Sequence, residues 1–267
     1  MGEGGLIGAS ASSAAPLDRL PRWASLVRAP NPGPMTLDGT NTWVLRAPGA
    51  DDVVVVDPGP RDDGHLLAVA AQGRVTTVMA THAHPDHVEG MERFLELCPG
   101  AVLVAQGFTT PAGLTVTVIP TPGHTGDSVT LVAGYGDERA ALTGDTILGR
   151  GTTVVAHPDG DLEQYLASLD RLEQLGPIPV LPGHGPALAD CGEAARYYRR
   201  HRLARLDQVR SALAAGARTP EDVVAAVYAD IDRGLWSAAR LSVQAQLAYL
   251  ALHGGESMGG PARLDPA

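Results

Sequence analysis

The chain contains no lysine; all 20 of its basic residues are arginine. Schiff-base chemistry and the phosphate-gripping lysine of P-loop enzymes are therefore excluded. Cysteine is nearly as scarce. Cys98 and Cys191 stand far apart without C-x-x-C spacing, which leaves no disulfide framework and no zinc ribbon, only two ordinary buried or half-buried thiols. Long apolar runs are missing too: the longest β-branched run, Val53–Val56, is far too short to cross a bilayer. The N-terminus lacks a basic start followed by an apolar stretch of signal-peptide length, so a soluble cytoplasmic protein without membrane contacts is expected. Positive charge is in deficit, with 20 basic against 30 acidic residues and a formal charge of −10. A protein that coats nucleic acid needs clustered cations, so double-stranded DNA is not an expected partner. Local capture stays open, because six arginines from Arg196 to Arg210 face only Asp207. Such a helix either makes ion pairs with the acidic main body or tracks a nucleic-acid strand.

What is present suffices for a globular protein. About 44% apolar residues over 267 positions supply a core for one large domain with a small appendage. Glycine and proline, 32 and 21, stay under the level that signals disorder.

Between Thr81 and Gly90 the chain reads T-H-A-H-P-D-H-V-E-G, which sets His82, His84, Asp86 and His87 within six residues. Imidazole and carboxylate are ligands that zinc accepts, and a packed core has no use for four of them on one short turn. Three more candidates follow: His124 in T-P-G-H-T-G-D, Asp145 in L-T-G-D-T and His184 in L-P-G-H-G-P, each after an apolar, strand-like stretch. A lone histidine between glycines is more often a turn residue than a ligand. Seven in order are not explained that way. His65, His157, His201 and His253 lack partners in sequence and read as surface or packing residues, although His157 lies downstream of Asp145 where a cleft would pass.

Residues 1–15, rich in Gly, Ala and Ser, read as a flexible leader. Strands are expected at 42–46 and 52–57, and Asp57 either anchors a ligand histidine or opens a turn before Pro58. A helix at 64–72, a strand at 75–80, the ligand turn and a helix at 88–97 come next. Strands at 102–105, 115–119, 128–132 and 140–142, a helix at 162–175 with a leucine face, and a strand at 178–181 complete the main body. Helices through 193–213 and 237–252 follow, and Thr219 with Pro220 starts another between them. Elements alternating this way give an α/β (α+β) protein with helices covering sheets.

The motif H-x-H-x-D-H with its later single ligands resembles the metallo-β-lactamase superfamily, and the likeness runs from Asn31 to Ala189. It implies the four-layer αβ/βα sandwich. It also implies that His82, His84 and His124 hold one metal, that Asp86, His87 and His184 hold a second, and that Asp145 bridges them. Two zinc ions per chain are the expected cofactor, with iron or manganese as alternatives. The stretches 31–45 and 144–155 are similar to the branch of beta-lactamase-like-protein-2 endoribonucleases, to related bacterial hydrolases and to fungal carrier-protein thioesterases. The expected domains are 16–192 for catalysis and 193–255 as a small helical, winged-helix-like region with a packing or lid role, ahead of a flexible tail at 256–267.

A bridged cation pair about 3.5–4 Å apart would present hydroxide at neutral pH, and Asp86 would orient it and take its proton. Arg150 is a candidate for an anionic substrate group or else a plain surface arginine, and Thr40, Asn41 and Thr42 are pocket candidates or else a strand start. Three functions follow. Phosphodiester hydrolysis of single-stranded RNA comes first. A thioesterase or glyoxalase-II-like ester hydrolase is the alternative, and a non-enzymatic nucleic-acid-binding or regulatory module is the third.

Overall fold

The computed structural model describes residues 14–253. The expected tail at 256–267 lies outside the described residues, as does the leader except for Ala14 and Ala15. Those two are packed: Ala14 is buried, and the Ala15 carbonyl accepts the Ala189 amide at 2.9 Å.

Two five-stranded sheets form the centre. The first runs β1 (Ala24–Arg28), β2 (Asn41–Leu45), β3 (Asp52–Val56), β4 (Arg74–Met79) and β5 (Val102–Leu103) in that spatial order. β1 to β3 pair antiparallel, and β3 to β5 pair parallel through helical crossovers. The second sheet orders β10 (Val180–Pro182), β9 (Glu138–Gly144), β8 (Val129–Tyr135), β7 (Thr115–Pro120) and β6 (Phe108–Thr109), with β10 and β9 parallel. The valine run of β3 shows why these layers form. Successive side chains point to opposite faces. Val54 and Val56 join Trp43, Leu45, Leu131 and Leu142 between the sheets, while Val53 and Val55 meet Leu66, Val69 and Phe94 on the outer side. Both faces are buried, so the strand needs no polar alternation. Each such side chain contributes about 1.5–3 kcal/mol by leaving water.

Helices α1 (Asp63–Ala70) and α3 (Met91–Leu97) cover the first sheet, with the short α2 (Pro85–Val88) between them. Helices α4 (Leu162–Glu173) and α5 (Cys191–Ala214) cover the second, through Tyr165, Leu169, Leu172, Ala194 and Tyr198. The αβ/βα sandwich expected from the sequence is thus the architecture found.

The helix expected over 88–97 is instead two pieces, α2 and α3. They part at Gly90, whose amide bonds to the Gly59 carbonyl and where a Cβ would come 2.7 Å from the Pro60 carbonyl oxygen. Helix α5 runs unbroken for 24 residues across the expected boundary at 192/193. Its first half packs on the second sheet, and its second half joins α6 (Pro220–Val227) and α7 (Trp236–His253) around Val209, Val223, Val227 and Val243. Thr219 and Asp222 close a reciprocal capping box at α6. Among the described residues no strand follows Pro182, and no helix is long and apolar enough to cross a membrane.

Candidate metal centre

Strand β4 delivers the chain to Thr81 and His82, and Pro85 opens α2 with its fixed φ, so that His84 caps the helix and Asp86 and His87 fall in its first turn. His124 lies on the loop between β7 and β8, Asp145 directly follows β9, and His184 comes one residue, Gly183, after β10. These loops converge. His82, His84, His124 and Asp145 form one set and Asp86, His87 and His184 a second, with the ligand atoms inside each set all within 4.8 Å of one another. Asp145 touches both: its Oδ2 lies 3.8 Å from His124 Nε2 and 3.3 Å from His184 Nε2, and its Oδ1 lies 3.5 Å from His87 Nε2.

Four of the imidazoles have their inner nitrogen fixed by what holds the outer one. His124 Nδ1–H donates to the Val154 carbonyl at 2.7 Å, and His184 Nδ1–H faces the Gly39 carbonyl at 3.4 Å. His87 Nδ1–H donates to Asp57 Oδ2 at 2.9 Å. Thr81 Oγ1–H also donates to Asp57 Oδ2, at 2.7 Å, so the hydroxyl oxygen is left to accept His82 Nδ1–H at 3.1 Å. Each ring therefore turns Nε2 inward as the atom free to bind a cation. His84 presents Nδ1 instead, 3.0 Å from the Nε2 atoms of both His82 and His124.

Lone pairs facing one another at such distances repel unless a proton or a cation lies between them. His87 and His184 repeat the pattern, Nε2 to Nε2, at 3.2 Å. Asp145 Oδ1 is buried without a hydrogen-bond partner, and a Cβ at Gly183 would come 2.4 Å from that oxygen. Backbone is held to the minimum there to leave the carboxylate its place. Five imidazole nitrogens and two carboxylates in this array fit two divalent cations of the zinc, iron or manganese kind.

Electrostatics set the two groups of ligands apart. Burial and the charge of nearby His87 push His82 down to about 3, and burial lowers His124. These rings stay neutral, as ligands must. Burial also works against charge on His87, yet Asp145 and Asp57 hold it well above its ordinary value. Burial opposes charge on His184 as well, but hydrogen bonds to Asp145 and Asp86 lift it to about 9. Against the same burial cost, contacts with His184 and His87 hold Asp86 at about 2, while His87 and His184 keep Asp145 well below the carboxylate range. The second set draws positive charge to itself, and a cation would compete for those places with protons.

All seven sequence-predicted ligands are brought together. Asp57 is the anchoring acceptor, holding Thr81 and His87 at once. Asn41 lies wholly buried, with Nδ2 donating to the carbonyls of Pro182 and Gly185 at 3.0 and 2.9 Å, so it pins the loop that carries His184. Arg150 makes a bidentate pair with Asp38 at 2.5 and 2.8 Å, both side chains nearly half exposed. His157 is exposed and belongs to neither set, and His65 is buried against Thr42. Thr40, a pocket candidate alongside Asn41, is fully buried and donates to Asp86 Oδ2 at 3.1 Å while accepting from Asn31 Nδ2 at 3.0 Å.

Residues 35–107 and 99–184 match the model of the metallo-beta-lactamase superfamily. The chain belongs to that superfamily. As such it is a metal-dependent hydrolase, and residues 219–254 match the beta-lactamase associated winged helix domain. A beta-lactamase-like protein 2 homolog of Caenorhabditis elegans is 31% identical over 80% of this chain and 79% of its own length. An atrochrysone carboxyl ACP thioesterase of Aspergillus fumigatus is 35% identical over 59% of this chain and 54% of its own. The fold is shared with a metallo-beta-lactamase family protein from Thermus thermophilus, with a TM-score of 0.73, 23% identity and coverage of 91% of this chain and 98% of that one.

Proposed function

We propose that this hydrolase acts on acyl thioesters or related carboxylic esters, with Asp86 as its catalytic carboxylate. One observation carries the choice of substrate: five of the six arginines that would grip RNA are already engaged, which leaves the exposed Arg200. On α5, Arg196 and Arg199 pair with Glu173 and Asp170 of α4, and Arg210 pairs with Asp207. Arg205 donates to the Val227 carbonyl and lies over the Tyr228 ring, and Arg202 is buried. Exposed pairs are worth only about 0–1 kcal/mol each. What counts is the field, because Arg196, Arg199 and Arg210 are offset by neighbouring carboxylates on a chain whose formal charge is −10. The thioesterase name of the Aspergillus relative points the same way.

The residues 16–192 would carry the whole site, with His82, His84 and His124 holding one cation, Asp86, His87 and His184 the other, and Asp145 both. When bound, such a pair supplies Lewis acidity and lowers the pKa of a water toward 7, so no covalent enzyme intermediate is required. Asp86 is the site carboxylate most open to the cleft, its side chain 28% exposed against 11% for Asp145. Held at about 2, it stays ionised at neutral pH, where it accepts a hydrogen bond from the attacking water and fixes its direction. Thr40 keeps that carboxylate from turning, since its hydroxyl must donate to Asp86 while Asn31 occupies its lone pair. No membrane or double-stranded DNA partner enters this reading.

Hydrolysis of single-stranded RNA is the second reading, supported by the sequence likeness to the endoribonuclease branch and by the winged-helix match. Uncharged N-acetylcysteamine thioesters and a labelled single-stranded RNA, each incubated with zinc-loaded protein, separate the two. Thioester cleavage that a chelator abolishes and Asp86→Ala lowers at least a hundredfold is the expected result. RNA cleavage with the same dependence and no thioester turnover would replace the first reading with the second.

A further inference from the structure

Among the described residues Arg202 is the one buried arginine, 4% exposed. A charge so placed costs several kcal/mol unless it is well held. No carboxylate pairs with it among the described residues. Instead Nη2 donates to the Thr153 carbonyl, the guanidinium carbon lies 5.3 Å over the Tyr165 ring, and Nε is buried without a partner. An apolar side chain of similar volume would fill this space beside Tyr165 and Tyr198 at lower cost. The charge adds direction, and what it directs is the segment that clasps a metal ligand. The carbonyl after Thr153, that of Val154, accepts His124 Nδ1–H, and the Thr153 hydroxyl lies 3.1 Å from the same nitrogen.

One turn earlier on the same face of α5, Tyr198 Oη accepts the Leu148 amide at 2.9 Å and donates to the Leu148 carbonyl at 3.1 Å. Helix α5 thus grips the chain between Asp145 and Asp161 at two points. We infer that Arg202 is a positioning residue: through the Thr153–Val154 backbone it sets the tautomer and aim of His124, and so tunes the cation site of His82, His84 and His124. This rests on the metal reading above. It gives α5, which leads into the C-terminal helices, a part in the site that needs no nucleic acid.

The test is equilibrium titration with cobalt(II), followed by visible absorption, in two backgrounds. His184→Ala leaves the set containing His124, and His84→Ala leaves the set of Asp86 and His87. Adding Arg202→Met should weaken cobalt binding about tenfold in the first background and by less than twofold in the second. Arg202→Lys, which keeps a donor of shorter reach, should recover part of the loss. Arg199→Met, which breaks only the exposed pair with Asp170, should change neither. Equal weakening in both backgrounds, or none in either, overturns the inference. If Arg202→Met does not fold by circular dichroism, Arg202→Lys carries the test, with a smaller loss confined to the first background expected and no such loss overturning it. Wild-type protein that takes up no cobalt overturns the metal reading itself, and this inference with it.

Discussion

Asp57 decides whether His87 can face a cation, and an asparagine there should remove that ability while sparing the fold. The aspartate sits at φ 54° with 1% exposure and accepts three hydrogen bonds: the Thr81 amide at 2.7 Å, the Thr81 hydroxyl at 2.7 Å and His87 Nδ1 at 2.9 Å. Asparagine tolerates the left-handed backbone and keeps one oxygen to accept from Thr81. Its amide group, however, donates where the carboxylate accepted. His87 must then carry its proton on Nε2, the nitrogen aimed at Asp145 and His184, or else bring two donors face to face. Either way a charge-assisted hydrogen bond is lost, worth about 1.5–3 kcal/mol. At about 1.4 kcal/mol per decade that is roughly ten- to a hundredfold in affinity for the cation held by Asp86, His87 and His184. Asp57→Ala should behave differently, because it strands three buried donors and places alanine at positive φ, at a cost of about 3–5 kcal/mol in stability. Metal content by elemental analysis after dialysis, alongside thermal unfolding, reads both quantities. Asp57→Asn should fall from two cations toward one with a Tm near wild type. An Asp57→Asn protein that keeps two cations at wild-type affinity would refute the tautomer reasoning.

The Asp38–Arg150 pair is nearly half exposed on both sides, so Arg150→Ala should lower stability by less than about 1 kcal/mol in urea unfolding. If Arg150 also meets an anionic group, KM should rise for a carboxylate-bearing thioester and not for a neutral one, with kcat unchanged in both. His201 is pushed down to about 4 by burial and by Arg202 and Arg205, so the fold holds it neutral while the unfolded chain protonates it below about 6.5. Its contribution is therefore intact above that pH and lost as pH falls toward 4. The Tm deficit of wild type relative to His201→Gln should grow across that window, and a constant difference between pH 7 and pH 4.5 would show the ring is not buried neutral.

The ligand set was legible in the sequence because cation chemistry demands particular side chains, and no packing requirement places His82, His84, Asp86 and His87 on one turn. The sandwich was legible for a related reason: the 53–56 valines and the leucine face of α4 carry their burial in their spacing. What escaped is what spacing does not encode. β1 was missed because A-S-L-V-R is half-buried and mixed, and β6 because two residues form no pattern. The break at Gly90 depends on Gly59 and Pro60, which come close only after folding. Arg202 was indistinguishable from its five neighbours on an arginine-rich helix, since nothing local marks the one that turns inward. Asn41 suits both a pocket and a strand start in sequence; it opens β2, and its amide fastens a loop from the other sheet, a contact no spacing announces.

Each ligand set draws on both sheets. His82 and His84 follow β4 of the first sheet, while His124 and Asp145 come from loops of the second; Asp86 and His87 likewise face His184 across the same divide. The acceptors that aim the rings are divided the same way, with Gly39, Asp57 and Thr81 on one side and Val154 on the other. Between the sheets the packing is apolar, and directed hydrogen bonds at the site's rim, from Asn41 to the Pro182 and Gly185 carbonyls and from the Val129 amide to the Thr81 carbonyl, set their register. A cation that requires nitrogen and oxygen donors at fixed distances would add to that constraint, and its binding energy would help hold one sheet against the other. Cation site and sheet interface would then form a single mechanical unit. That accounts for why so many buried polar groups, from Thr40 to Arg202, are engaged in orienting the ligands and the loops that carry them.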